Sequence, residues 1–290
     1  MLNHAFIEPL REPNVRHSLV AVLALALSAG PVGVFLMLRR MSLVGDAVSH
    51  AILPGVAIGF LVGGLSVIAM TIGGVVAGIG VALLSGLVTR ATEIQEDASL
   101  AVFLLLSLAL GIVIVTINGI DTTRLIDFLF GEAEARMSTE KLLVIATNTT
   151  ISLVALALIY RPLVLECVDP HFLRSVSSAG STSHFVFLAM LVLNLVSGFH
   201  ALGTLLGVGI MIVPAAISRF WARDVSRLVL LSAATALVSG VAGVLISFHA
   251  RVPAGPAVTL VAGALYCVSV VFGPVGGLAW RRLAGRHLEA

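Results

Sequence analysis

The chain has 290 residues, of which 59% are hydrophobic and only 11% charged, with a mean hydropathy of +1.11. A soluble domain uses roughly 25% charged residues to furnish its water-facing surface, so this composition excludes a water-soluble globular protein. Seventeen basic and fifteen acidic residues leave a net charge of +2, too balanced and too sparse for a nucleic-acid surface. No DNA or RNA partner is expected, and the reading is an all-α polytopic membrane protein in contact with lipid.

Residues 1–16 carry Glu8, Arg11, Glu12 and Arg16 ahead of the first apolar run and lack the layout of a cleaved leader. They are expected to form a short extracytoplasmic segment. A hydrocarbon core about 30 Å thick takes roughly 20 helical residues, which divides the rest of the chain. One span is predicted at 17–38, two within 47–89 with a break at Gly63 and Gly64, and a fourth at 98–120, where Asp97 suits the positive end of a helix. A fifth follows at 142–160, two more lie within 175–218 and part near His200, and single spans fall at 228–250 and 252–280. The total is about nine, with a transmembrane domain over 17–280 and a tail at 281–290. The runs are continuous and show no ten-residue alternation, which favours helices over a barrel.

An odd number of crossings puts the termini on opposite sides, and basic residues assign the sides. Arg39, Arg40, Arg90, Arg161, Arg174, Arg219, Arg223, Arg227, Arg281, Arg282 and Arg286 collect on one side, against Arg11, Arg16, Arg124, Arg136, Lys141 and Arg251 on the other. The richer side is read as cytoplasmic, leaving the N-terminus outside and the C-terminus in the cytoplasm. Glycines four apart, such as Gly59 with Gly63, Gly74 with Gly78 and Gly203 with Gly207, read as ordinary close helix packing. Cys167 and Cys267 stand far apart and indicate neither a disulfide framework nor a thiolate metal site.

One polar cluster interrupts the apolar runs. In 41–55, MSLVGDAVSHAILPG, Asp46 and His50 stand four residues apart with Ser49 beside them. On a helix those positions share one face, and carboxylate oxygen with imidazole nitrogen suits zinc, manganese or ferrous iron. Pro54 and Gly55 follow, so the helix should kink or break beside the pair, as helices do where they line a pathway. The plainer alternative has Asp46 capping the second span and His50 bonded to a neighbouring helix. His200 and His249 are weaker metal candidates, each near a membrane interface. The stretch 214–227, with Pro214, Arg219, Phe220, Trp221 and Arg223, is short, basic and aromatic, and predicts a small amphipathic helix at the cytoplasmic surface that docks another protein, or else a loop that only fixes topology.

Absences discriminate further. There is no G-x-x-x-x-G-K-[ST] phosphate loop, and the single lysine, Lys141, follows Glu140, so ATP is not bound in the P-loop manner. H-E-x-x-H and G-x-S-x-G are also missing, which weighs against an intramembrane hydrolase.

Residues 39–55, RRMSLVGDAVSHAILPG, closely resemble the signature of the metal-importing ABC transporter permeases, the ABC-3 family. Further matches follow in order: EDASLA at 96–101, LFGE at 129–132, YRPL at 160–163, Asp169 with Pro170, ALG at 201–203, IVPAA at 212–216 and VPAG at 252–255. The chain departs at 171–178, HFLRSVSS, where the family carries A-R-x-L-G, and at His249, where an aromatic residue is expected. The resemblance implies a multi-pass permease of the bacterial inner membrane, related to type II ABC importer permeases, that forms a homodimer. Its partners would be a cytoplasmic ABC ATPase and an extracytoplasmic metal-binding protein. It also implies that 214–227 is the coupling helix to the ATPase and that Asp46 and His50 form a transient site for the cargo, with no resident cofactor. The expected function is ATP-driven import of a divalent transition metal ion by a non-enzymatic subunit. A proton-coupled metal carrier and an intramembrane metallohydrolase are the rivals.

Overall fold

The computed structural model describes residues 12–64, 66–92, 96–118, 137–169, 173 and 179–280, and within these the side chains at positions 42, 43, 46, 90, 96, 97, 179, 181, 202, 204 and 205, Asp46 among them, lie outside the described set. Among the described residues ten helices follow one another: α1 (Pro13–Leu38), α2 (Ser42–Ala51), α3 (Leu53–Gly63), α4 (Val67–Ala91), α5 (Glu96–Ile117), α6 (Thr139–Val168), α7 (Ala179–Leu202), α8 (Thr204–Ser218), α9 (Val225–Ala250) and α10 (Ala254–Phe272). No strand occurs among the described residues. Seven of the helices are long and apolar enough to cross a membrane, and Ala47–Gly63 and Leu206–Ser218 are shorter apolar stretches.

The bundle is organised around α1 and α7. In α1, 78% of the apolar stretch is buried and in α7 72%, against 22% in α5, so two helices form the centre and the others turn apolar faces outward. This inverts the soluble rule, as expected where the surroundings are hydrocarbon. Phe35 of α1 meets Tyr160 of α6 edge-on at 5.9 Å, while Leu25 of α1 and Phe187 and Leu195 of α7 are fully buried. Helices α2 to α5 pack chiefly on one another, and α1 with α6 to α10 form the remaining mass.

Several boundaries differ from the charge-free runs, for identifiable reasons. Helix α6 continues to Val168 through Arg161 and Pro162, because Arg161 is exposed and a long cationic side chain reaches an interface without ending a helix. The last helix ends at Phe272 rather than 280: Gly273 bonds back to Ser269 and the chain turns at 274–276. The expected break at Gly63 and Gly64 is present, with Gly64 in the left-handed region at φ 62°. Helices α7 and α8 part at Gly203, whose φ of 96° a side chain would strain.

The close approach of α3 to α4 depends on missing side chains. A Cβ on Gly73 would fall 2.1 Å from the Gly55 carbonyl oxygen, whereas one on Gly80 meets nothing within 4 Å. Gly73→Ala should therefore lower stability by about 1–3 kcal/mol through overpacking, while Gly80→Ala leaves the thermal midpoint of the detergent-solubilised protein unchanged or slightly raised. Equal midpoints for the two variants would contradict the packing.

Candidate functional site

The polar cluster lies on a helix that is interrupted where Pro54 requires. Helix α2 ends at Ala51 and α3 resumes at Leu53. Pro54 has no N–H to give the His50 carbonyl, so the ladder re-forms around Ile52, whose N–H reaches back to the Val48 carbonyl at 3.2 Å while its own carbonyl accepts from Val56 at 3.1 Å. The Ala51 carbonyl accepts a hydrogen bond from the Ser107 hydroxyl of α5 at 2.8 Å. The backbone of α2 keeps positions 46 and 50 one turn apart on one face. Ser49 is buried and His50 is exposed on the surface of the single chain.

The other histidines are placed differently. His200, near the end of α7, is buried, and its Nε2 lies 2.7 Å from the Thr71 hydroxyl of α4. That hydroxyl gives its proton to the Val67 carbonyl at 2.6 Å, so the imidazole Nε2–H is the donor. His249 is exposed at the end of α9, with Nδ1 2.8 Å from the Leu245 carbonyl and its ring edge-on to Phe248. Among the described residues no group of three or more His, Cys, Asp or Glu side chains is placed to hold a metal ion.

The stretch 214–227 does not form a helix of its own. Pro214 lies inside α8 and is buried, 219–221 are turns, and α9 begins at Val225. The aromatic residues turn back onto the bundle: Phe220 meets Tyr266 at 5.9 Å, its carbonyl accepts from Val275 N–H at 2.9 Å, and Trp221 Nε1 donates to Ser269 at 3.0 Å. Phe220 is half-buried against α10 while Trp221 keeps 46% of its surface exposed despite its hydrogen bond, and Arg219, Arg223 and Arg227 are exposed. The family-like segment at 129–132 and Pro170 lie outside the described residues, as does the departing stretch 171–178 except for Leu173.

Two polar groupings carry no local signature. Asn194 of α7 accepts from Ser28 of α1 at 2.6 Å and donates to Ser152 of α6 at 3.2 Å and to the Met190 carbonyl at 2.8 Å. One turn on, Asn148 of α6 donates to Ser197 at 3.0 Å. At the opposite end of α7, Arg39 pairs with Glu166 of α6, donates to His184 Nδ1 at 3.1 Å and stacks over Phe187 at 4.7 Å. The side chains of Arg39 and Glu166 are only 7% and 17% exposed, which makes this a buried ion pair tying three helices together.

The described residues thus form an all-helical bundle in which the helical segment carrying His50 is interrupted two residues after it. The chain belongs to the ABC 3 transport family, which it matches over residues 12–273, and it is a multi-pass membrane permease. It is 30% identical over 270 residues, 93% of this chain and 94% of the relative, to a manganese import system permease protein, ScaB, of Streptococcus parasanguinis. It is 31% identical over 288 residues, 96% of each chain, to a zinc transport system membrane protein, TroC, of Treponema pallidum. The fold matches the structure of PsaBC from Streptococcus pneumoniae in complex with Fab with a TM-score of 0.83 at 26% identity, covering 95% of this chain and 98% of that one.

The Arg39 pair should behave as a unit. Arg39→Ala leaves the Glu166 carboxylate buried without its cation and should cost about 3–5 kcal/mol. Arg39→Leu combined with Glu166→Leu should cost far less, as judged by thermal unfolding in detergent. Additive losses would show that the pair does not act as a unit.

Proposed function

We propose that this chain is the membrane-spanning subunit of an ATP-driven importer of divalent transition metal ions, zinc or manganese foremost and iron as a further cargo. Asp46 and His50 serve as transient ligands. The observation that carries the reading is the break at Ile52 beside His50, with that histidine exposed on the single chain. A polar side chain at membrane depth is stable only against a cavity or another protein surface. Two copies that face each other across a shared path provide both. Relatives named for manganese import and zinc transport support the choice of cargo. The metal is cargo and not a resident cofactor, and an incomplete ligand set favours release as well as capture.

With Ala47–Gly63 and Leu206–Ser218 counted as crossings beside the seven longer helices, the chain crosses nine times. The N-terminal segment is then outside and the tail at 281–290 is cytoplasmic. On that topology the arginine-rich ends share the cytoplasmic face, a reading supported by the contacts of Arg39 with Glu166 and His184 and of Phe220 with Val275. That face is where a separate ATPase docks, with exposed Arg219 and Arg223 offering positive charge, while a metal-delivering protein engages the opposite face. The absence of a phosphate loop from the sequence assigns ATP hydrolysis to the partner. His200, engaged with Thr71, and His249 at a helix end are secondary contacts at most on the outer side.

Asp46→Ala and His50→Ala should each reduce metal uptake by the reconstituted complex more than about tenfold, the lower bound for losing even an outer-shell partner of a metal site, with insertion and dimerisation intact. Wild-type uptake in both would remove the pair from the path, and uptake driven by a pH gradient without the ATPase would instead favour a proton-coupled carrier. Arg219→Glu with Arg223→Glu should lower the ATPase recovered with the permease at least about tenfold. Unchanged recovery would move the docking site elsewhere on that face.

A further inference from the structure

We propose that Ser107 of α5 is a positioning residue for transport: its hydroxyl covers the Ala51 carbonyl at the helix break and holds in place the half-helix that carries Asp46 and His50. This rests on the reading of those two residues as metal ligands.

The break leaves the backbone short of donors at a depth where water does not supply them. Pro54 has no N–H for the His50 carbonyl, and the neighbouring Ala51 carbonyl takes its hydrogen bond from another helix, Ser107 Oγ at 2.8 Å. Both partners are buried, Ala51 completely and Ser107 to 5% exposure. A serine or threonine within a helix ordinarily bonds back to a carbonyl of its own helix, as Thr116 does to Ile112 on the same α5 at 2.8 Å. Ser107 departs from that habit and directs its proton across to the break.

A second, independent feature of α5 addresses the same place. Gly111, one turn beyond Ser107 and on the same face, lies under the proline ring. A Cβ there would stand 3.3 Å from the Pro54 nitrogen and 3.5 Å from its Cα. A donor for the Ala51 carbonyl beside the break and a gap for the ring thus recur at i and i+4 on one helix. Together they form a seat for an interrupted segment. Without the hydroxyl, the Ala51 carbonyl lacks that donor, and α2 is driven either to rewind toward Gly55 or to admit water. Either change tilts the half-helix that bears Asp46 and His50 relative to α3.

The test uses the assembled permease with its ATPase and binding protein in proteoliposomes, with manganese and zinc as the probes. Ser107→Ala should reduce metal delivered per ATP hydrolysed about tenfold, the scale of one buried acceptor left without its donor, while ATP hydrolysis itself and complex assembly stay near wild type. Ser107→Thr, which keeps the hydroxyl, should restore most of the coupling. Pro54→Ala restores the N–H for the His50 carbonyl and removes the ring, so the helix can close and Gly55 N–H can take over the Ala51 carbonyl; adding Ser107→Ala to that variant should then produce no further loss. Wild-type coupling in Ser107→Ala, no rescue by threonine, or independent losses from Pro54→Ala and Ser107→Ala would each overturn the proposal. Should Ser107→Ala not assemble, the Pro54→Ala background decides alone: equal coupling with and without the serine hydroxyl supports the brace, and a further loss refutes it. His50→Ala, measured beside these, separates the two readings. Normal transport in His50→Ala removes the premise, whereas a dead His50→Ala with a fully coupled Ser107→Ala removes the brace alone.

Discussion

In hydrocarbon, each backbone donor and acceptor has to be satisfied within the protein, and one proline makes that difficult in the middle of this bundle. Pro54 withholds the N–H that the His50 carbonyl would otherwise receive, and the segment divides into α2 and α3 at Ile52. Much of the surrounding architecture answers that interruption. Helix α5 provides a hydroxyl at Ser107 and a gap at Gly111, and the bare backbones of Gly55 and Gly73 let α3 and α4 close beside it. Positions 46 and 50 sit on the half-helix immediately before the break, where the helical ladder is interrupted.

The remainder of the bundle is held by a different device. Apolar burial contributes little between helices already surrounded by lipid, so close packing and hydrogen bonds carry the association. Asn194 joins α7 to α1 and α6 from the centre of the bundle, and Arg39 joins the same three helices at one end through Glu166 and His184. These ties make α1, α6 and α7 a firm frame. Helices α2 to α5 pack mainly among themselves and meet the frame at fewer places, among them the Thr71 to His200 bond. The broken helix thus belongs to the group that makes fewer contacts with this frame.

Much of this was legible in the sequence because hydrocarbon imposes strong local rules. Charge-free runs located the long helices, Gly63 and Gly64 marked a real turn, and the i, i+4 spacing of Asp46 and His50 ahead of Pro54 pointed to an interrupted polar helix. Boundaries failed where a charge-free criterion was too strict: Arg161 and Pro162 lie inside α6, since an exposed arginine near an interface costs a helix little. The separate helix expected over 214–227 failed because composition cannot say which way an aromatic ring turns, and Phe220 and Trp221 find partners on α10. The asparagine and ion-pair nodes were not legible at all. Asn194 meets Ser28 across 166 positions and Arg39 meets Glu166 across 127, and no local periodicity encodes such pairings. Ser107 carries no local signature either, because the carbonyl it covers lies 56 positions away.

The central claim, that His50 lines a path opened alternately to the two sides of the membrane, is tested most directly by its accessibility. A His50→Cys protein in which Cys167 and Cys267 are replaced, assembled with its ATPase in sealed vesicles, would be exposed to a membrane-impermeant thiol reagent from each side, with and without ATP. The account predicts labelling from one side in each nucleotide state and an exchange of sides between them. Labelling by a lipid-soluble reagent alone, independent of nucleotide, would place position 50 against acyl chains and contradict it.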